Sequence, residues 1–133
     1  MPKKPRFKNN YLLVVEPGKA PRVENLEGTL ESLQKAVGGY IEAVYPFDDP
    51  VAVIVNEEGK LNGLPMNRAL RDEDGDIYDI IHGTFLVAGL ADDDFCSLSP
   101  ELLVKYALRF AHTETFHVMD DGRIKVYKMG VNV

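Results

Sequence analysis

The residues best suited to recognising a ligand lie in the segment 62–68, which reads NGLPMNR. Its two asparagines and its arginine offer directional hydrogen-bond donors that suit a carboxylate, a phosphate or a base edge. If the hairpin predicted after this segment folds back, Tyr78, Asp79 and Thr84 would face the same region. The predicted ligand-binding residues are Asn62, Asn67, Arg68, Tyr78 and Thr84. The alternative is structural: Asn67 caps the loop and Arg68 pairs with a nearby acid.

Other reactive side chains form no pattern that indicates catalysis. Cys96 follows three aspartates, and negative charge raises the pKa of a thiol, so a buried or idle thiol is favoured over a nucleophile. The spacing of His82, His112 and His117 matches no zinc signature. The glycines form neither a dinucleotide fingerprint nor a phosphate loop. The sequence therefore predicts a protein that is not an enzyme, with no catalytic residue, no metal and no cofactor.

The acidic stretch 72–76, which reads DEDGD, suggests a calcium loop because hard cations prefer several carboxylates at alternating positions. Counted from Asp72, an EF-hand loop needs Gly at position six and Glu at position twelve. Ile77 and Gly83 occupy those positions. A solvated hairpin turn is therefore the favoured interpretation, and weak cation binding is the alternative.

Charge divides the chain into a basic start and an acidic body. The net charge is −6, and residues 1–10 carry four cations and no acid, which leaves −10 on the rest. An acidic body repels phosphate backbones, so nucleic-acid binding by the folded part is disfavoured. The start is interpreted as a disordered, solubilising tail, or alternatively as a contact for nucleic acid or an acidic partner. The single cysteine and the lack of a long apolar run predict a cytoplasmic protein without disulfides or membrane contact.

The apolar pattern predicts about two helices and six to eight short strands. One helix begins after the capping Thr29 and ends at Gly38. The other begins at Ser99-Pro100, and its Glu101 and Lys105 are predicted to pair. Residues 61–70 are interpreted as irregular because a glycine and a proline interrupt both periodicities. Strands are predicted at 11–15, 40–45, 51–56, 84–88, 116–119 and 123–127, with two more around the turn at 74–75, and residues 22–26 could form a short partner strand for 11–15.

These elements predict a single α+β domain, with a mostly antiparallel sheet and about two helices packed on it. Because strand 51–56 is apolar on both faces, we expect it to be covered on both sides. Residues 91–94 are predicted to be a surface loop. The predicted parts are a basic tail over 1–10, an α+β core over 11–113 and a C-terminal hairpin extension over 114–133.

Four stretches in order resemble a family of uncharacterised small proteins: VVEPGKAP, LESLQKAVGGYIEAVYPFDDPVAVIVNEEGKLNGLPMNRAL, DEDGDIYDIIHGTFLVAG and the helix start LSPE. The similarity covers roughly residues 11–110. The resemblance implies carriage on phages, plasmids and conjugative elements of Gram-positive gut bacteria. It supplies no activity and no catalytic residues.

Three functional hypotheses follow. The leading one is a non-catalytic binding or interaction module that contacts a host protein, in one version a counter-defence protein whose acidic runs imitate DNA phosphates. The second is a protein that sequesters a small ligand or nucleotide, and the third, an enzyme, is the least favoured. The aromatic residues Tyr40, Tyr45 and Phe47 either anchor a partner or pack in the core. A homodimer through a sheet edge is also compatible with so many short strands.

Overall fold

A computed structural model of the protein describes residues 10–27, 29–92 and 94–130. The predicted basic tail lies outside the described residues, apart from Asn10. The chain forms two helices and ten strands within this range: β1 Tyr11–Val15, β2 Arg22–Asn25, α1 Leu30–Val37, β3 Ile41–Val44, β4 Val51–Asn56, β5 Met66–Arg71, β6 Ile77–His82, β7 Phe85–Ala91, β8 Asp94–Cys96, α2 Pro100–Arg109, β9 Glu114–Val118 and β10 Ile124–Lys128.

The main sheet has six strands and is antiparallel throughout. Its order is β2-β1-β7-β4-β3, and β8 pairs with the second half of β7. Strand β4 lies inside the sheet and is buried on both faces. Val51 and Val53 pack in one apolar cluster, whereas Ala52 and Ile54 pack in another on the opposite face. The expectation that this strand is covered on both sides is confirmed.

Each face of the sheet is covered by a helix. Leu33 and Val37 of α1 join the cluster that contains Ile54. Tyr106 and Phe110, from α2 and its C-terminal end, join the other cluster together with Leu70 and Ile81 of a separate two-stranded sheet, β5–β6. The predicted α+β fold, with a mostly antiparallel sheet and two helices, is confirmed.

Local sequence signals define both helix starts. The Thr29 hydroxyl accepts a hydrogen bond from the Ser32 N–H at 3.2 Å, and the Ser99 hydroxyl accepts one from the Leu102 N–H at 3.3 Å. These bonds satisfy N–H groups that have no partner within a helix. Helix α1 ends at Gly38 with φ of 81°, a left-handed conformation that glycine adopts without a side-chain clash.

Three local predictions were wrong. Residues 66–71, most of which were interpreted as irregular, form β5, because tertiary burial overrides the weak strand pattern of MNRALR. Residue 94, assigned to a surface loop, begins the short strand β8, which β7 supports by pairing. Lys105 does not pair with Glu101; its Nζ lies 2.5 Å from Asp49 Oδ2, on a loop that packs beside the helix.

The predicted C-terminal hairpin is present as β9–β10. Its register runs from Ile124↔Val118 to Lys128↔Glu114. The Glu114 carboxylate attaches this hairpin to β5: it accepts the Ala69 N–H at 3.0 Å and pairs with Arg71 at 3.2 Å. Within the described ranges, neither helix is long and apolar enough to cross a membrane.

Candidate functional site

Asn67 and Arg68, at the centre of the predicted ligand site, lie in the protein interior with no exposed surface. The Asn67 amide nitrogen donates to the backbone carbonyls of Val15 at 2.9 Å and Gly83 at 2.8 Å. Its side-chain oxygen accepts a hydrogen bond from Arg68 at 2.7 Å. Asn67 therefore joins the ends of β1 and β6 to β5, which agrees with a structural role for this side chain.

Arg68 binds backbone carbonyls rather than the acid that its structural interpretation proposed. Its guanidinium donates to the carbonyl oxygens of Phe110 at 3.0 Å and Lys19 at 2.7 Å, in addition to Asn67. Burial lowers the pKa of Arg68, and the nearby carboxylate of Glu114 opposes that shift. The side chain thus connects the β1–β2 turn and the end of α2 to strand β5.

The other predicted site residues are dispersed. Asn62 is exposed in the turn after β4, and Thr84 is half-buried between β6 and β7. Tyr78 is 57% exposed and lines a groove beside α2. Asp79 forms an ion pair with Lys60 at 2.5 Å. Tyr78 alone among the five predicted ligand-binding residues lines either of the two cavities described below.

The groove that contains Tyr78, here called the α2 groove, has a volume of about 540 Å³. It lies between the loop joining β3 to β4, the turn joining β5 to β6, and α2. Its lining combines three aromatic rings, three cations and four acids, together with a proline. These residues are Pro46, Phe47, Asp48, Asp49, Arg71, Asp72, Glu73, Tyr78, Lys105, Tyr106 and Arg109.

Asp49 is fixed at one side of the α2 groove. Its Oδ2 accepts hydrogen bonds from Lys105 Nζ at 2.5 Å and from the Tyr106 hydroxyl at 2.7 Å. These two donors stabilise the carboxylate and lower the pKa of Asp49. Tyr106 is 1% exposed, and burial together with the bond to Asp49 raises the pKa of its hydroxyl. Asp49 thus pairs with both Lys105 and Tyr106, and the three side chains form one wall of the groove.

Arg109 differs from the other cations of the groove. Its guanidinium carbon lies 4.4 Å from the centroid of the Phe47 ring, within the range of a cation–π contact. Lys105 is neutralised by Asp49 and Arg71 by Glu114, but Arg109 has no carboxylate partner within the described part of the chain. Asp48 and Glu73, also in the lining, have no cationic partner there either. The groove thus holds charges of both signs that the fold leaves unpaired.

Phe47 is held by aromatic neighbours, whereas the tyrosines that precede it are exposed. Its ring centroid lies 4.8 Å from that of Tyr106 and 6.2 Å from that of Phe110. Tyr40 and Tyr45 are more than half exposed. Of the two alternatives for these aromatic residues, core packing applies to Phe47, and the tyrosines remain available on the surface as contacts for a partner.

A family model described as "Domain of unknown function (DUF3846)" matches residues 9–111. The chain belongs to this family. No curated protein and no solved structure matches the chain. The DUF3846 region contains every residue that lines the α2 groove, and the hairpin β9–β10 follows the last matched residue.

A second cavity of the DUF3846 region, here called the β6 cleft, has a volume of about 390 Å³ and shares no lining residue with the α2 groove. It opens between β6 and the edge of the main sheet formed by β3 and β4. Its floor is apolar, with Val44, Val55, Leu70, Ile80 and Ile81. Polar side chains, including His82, stand at its rim.

The acidic turn borders the α2 groove through Asp72 and Glu73, whereas Cys96 lines neither the groove nor the β6 cleft. Carboxylate oxygens of Asp72, Asp74 and Asp76 lie within 4.8 Å of one another. One oxygen of Asp72 accepts the backbone N–H groups of Asp74 and Asp76, both at 2.9 Å, so hydrogen bonding within the hairpin turn accounts for its position. Burial raises the pKa of the Cys96 thiol, so desolvation, and not the aspartates before it, is the main cause.

Sequence reasoning missed Asp49, Lys105 and Arg109 as groove residues. Asp49 and Arg109 were not among the predicted site residues, and Lys105 was assigned only as a helix ion-pair partner. One signal was available. Lys105 and Arg109 are about one turn apart on α2, so both lie on the same side of the helix, next to the buried Tyr106. Which loop faces that side depends on the tertiary fold.

Proposed function

We propose that this DUF3846 protein is a non-catalytic binding module that holds an exposed segment of a partner protein in the α2 groove. The observation that carries the proposal is Arg109, a cation without a carboxylate partner among the described residues, stacked on Phe47 inside a groove of about 540 Å³. Stacking orients a guanidinium and leaves the N–H groups at its edge free for a carboxylate.

The partner segment is defined by the charges that the groove leaves unpaired. Arg109 suits an acidic side chain, and Asp48 and Glu73 suit a basic one. The exposed rings of Tyr45 and Tyr78 supply the aromatic contacts that are enriched in protein interfaces. The groove therefore favours a segment with both an acidic and a basic side chain, close enough together to span it.

The resemblance to proteins of mobile elements gives this proposal its setting. In a phage or plasmid the partner would be a host protein, and counter-defence is one version of that role. The net charge of −6 supports recognition of a basic surface on the partner, since opposite charge speeds encounter.

The proposal is tested by selecting displayed peptides on the immobilised protein and measuring the affinity of the enriched sequences. We expect enriched peptides to contain both an acidic and a basic residue. Arg109→Ala and Tyr78→Ala should each weaken their binding about ten-fold, as removal of an interface anchor does. Lys125→Ala, which removes a cation from the exposed face of β10, is the matched control and should bind like the parent.

Two results would contradict the proposal. One is a selection that enriches no sequence class. The other is a set of peptides that bind the parent, Arg109→Ala and Tyr78→Ala proteins equally, because their site would then lie outside the α2 groove.

A further inference from the structure

The β6 cleft is bounded by two layers that separate at the edge of the main sheet. Val44 and Val55 contribute to the apolar floor from one layer, and Leu70 and Ile81, both 5% exposed, contribute to it from the other. Cavities of roughly 300–1,000 Å³ with a mainly apolar lining and a few polar groups are the usual form of small-molecule sites. At about 390 Å³ the cleft falls at the lower end of that range.

The turn after β4 forms the mouth of the cleft. Gly59 allows this turn to approach β6 closely, since a Cβ at that position would lie 2.7 Å from the His82 carbonyl oxygen. The same turn presents Leu61, which lines the cleft and is 86% exposed. An apolar side chain this exposed extends the apolar wall beyond the mouth, where it can contact a bound molecule.

Most polar groups at the rim are already satisfied. Lys60 pairs with Asp79 at 2.5 Å, and the side chain of Asn56 donates to the Val37 carbonyl and accepts the Glu58 N–H. The Nδ1 atom of His82 lies 2.9 Å from the Leu64 carbonyl oxygen. A carbonyl can only accept a hydrogen bond, so Nδ1 carries the proton and Nε2 of the neutral ring is an acceptor.

The groups left over at the rim are acceptors. Glu42 and Glu57 line the cleft and have no cationic partner in the ranges that the structure describes. With the acceptor nitrogen of His82 they form a rim that lacks a matching donor, above an apolar floor. Among the described residues that line the cleft, Lys60 is the one lysine or arginine, and its ion pair with Asp79 neutralises it.

From this arrangement we infer that the β6 cleft is a second binding site, which takes a small molecule with an apolar body and a protonated amine. The body occupies the apolar floor, and the ammonium group binds the carboxylates of Glu42 and Glu57. The inference is independent of the proposed function, because the cleft and the α2 groove have no lining residue in common.

The inference is tested with three probes that share an eight-carbon chain: n-octylamine, 1-octanol and octanoate, each titrated into the isotope-labelled protein at neutral pH. We expect n-octylamine to shift the amide signals of residues that line the cleft, with 1-octanol several-fold weaker and octanoate at least about ten-fold weaker. Failure of all three probes to shift those signals would overturn the inference. Equal affinity of all three would also overturn it, since the carboxylates would then contribute nothing.

Variants separate the acidic rim from the rest of the surface. The double change Glu42→Gln and Glu57→Gln should reduce n-octylamine affinity to that of 1-octanol while leaving 1-octanol binding unchanged. Because both side chains are at the surface, the fold should tolerate their loss, and an unchanged amide spectrum without probe would verify this. Glu101→Gln, in the first turn of α2 and outside both cavities, is the matched control and should bind n-octylamine like the parent. If the double variant also binds like the parent, the ammonium site is not where the inference puts it.

Discussion

Replacing Arg68 by methionine tests whether a buried cation that donates to neutral oxygens stabilises this fold. The side chain donates to four acceptor atoms: the backbone oxygens of Lys19, Asn67 and Phe110 and the side-chain oxygen of Asn67. Methionine fills most of the volume and donates to none of them. The buried carbonyl oxygen of Phe110 and the partly buried carbonyl oxygen of Lys19 would then lack the donor that satisfies them.

Two opposing effects set the size of the change. A hydrogen bond from a charged donor contributes about 1.5–3 kcal/mol, and an unsatisfied buried carbonyl costs about 1–3 kcal/mol. Against this, methionine removes the cost of burying a guanidinium, which is several kcal/mol. Because Arg68 satisfies four acceptors from three parts of the chain, we expect the lost hydrogen bonds to cost more free energy than removal of the buried charge returns. The free energy of unfolding should fall by about 3–5 kcal/mol, a large share of the 5–15 kcal/mol typical of a domain.

The assay is equilibrium unfolding in urea, followed by circular dichroism, with Arg68→Lys as the companion variant. Lysine keeps the charge but carries a single ammonium group, which cannot reach all the acceptors at once. The Arg68→Lys protein should therefore also be less stable than the parent. If Arg68→Met unfolds within about 1 kcal/mol of the parent, the relief of desolvation equals the lost hydrogen bonds. The account of Arg68 as a structural connector would then be refuted.

Three further predictions concern stability. The pKa of Asp49 is lower in the folded protein than in the unfolded chain, so its carboxylate contributes stability that is lost as acid protonates it. In an acid titration, Asp49→Asn should therefore lose less stability than the parent between about pH 5 and about pH 2. The pKa of Tyr106 is higher in the folded protein than its ordinary value of 10.0, so the protonated hydroxyl contributes stability that is complete below pH 10.0 and is lost above it. In alkali, the stability of Tyr106→Phe should therefore fall less steeply than that of the parent. Gly89→Ala should lower the free energy of unfolding by about 1–3 kcal/mol in thermal denaturation, because its Cβ would lie 2.7 Å from the Ser97 carbonyl oxygen. Gly130→Ala, where a Cβ meets nothing within 4 Å, is the control.

The parts of the fold that could be predicted from sequence are those encoded by neighbouring residues. A capping Thr29, a terminal Gly38 and the Ser99-Pro100 start each act within one helical turn, so the start of both helices and the end of α1 were predicted correctly. The hairpins were predicted because turn residues separate apolar runs. In the same way, a run of five small apolar residues in β4 indicated burial on both faces, which the two clusters confirm.

Strand β5 could not be predicted because two of its four buried residues are polar. Asn67 and Arg68 interrupt the apolar alternation that marks a strand, and both are nevertheless fully buried. Their burial is stable only because carbonyl groups from β1, from the β1–β2 turn and from the end of α2 converge on them. Those partners lie between 42 and 52 residues away, which no local pattern reveals.

The α2 groove could not be predicted for a related reason. Asp49, Tyr78 and Arg109 come from three separate elements, and each has an ordinary local interpretation as a loop acid, a strand aromatic and a helix-terminal cation. The sequence placed Tyr78 among the candidate residues, but the structure places the other four outside the α2 groove. Knowing which elements meet requires the packing of α2 against the main sheet.

Arg68 and Arg109 differ in whether their hydrogen-bond donors are used by the fold or remain free to bind a ligand. Both arginines lie in the DUF3846 region, and both carry a guanidinium that is held in place. Arg68 has its donors occupied by the protein's own carbonyls, so a ligand could bind it only by displacing part of the core. Arg109 is oriented by the ring of Phe47, a contact that uses the face of the guanidinium and leaves its edge free. A change at Arg68 should therefore act mainly on stability, and a change at Arg109 mainly on binding, so measuring both quantities for both variants distinguishes a binding groove from an incidental surface hollow.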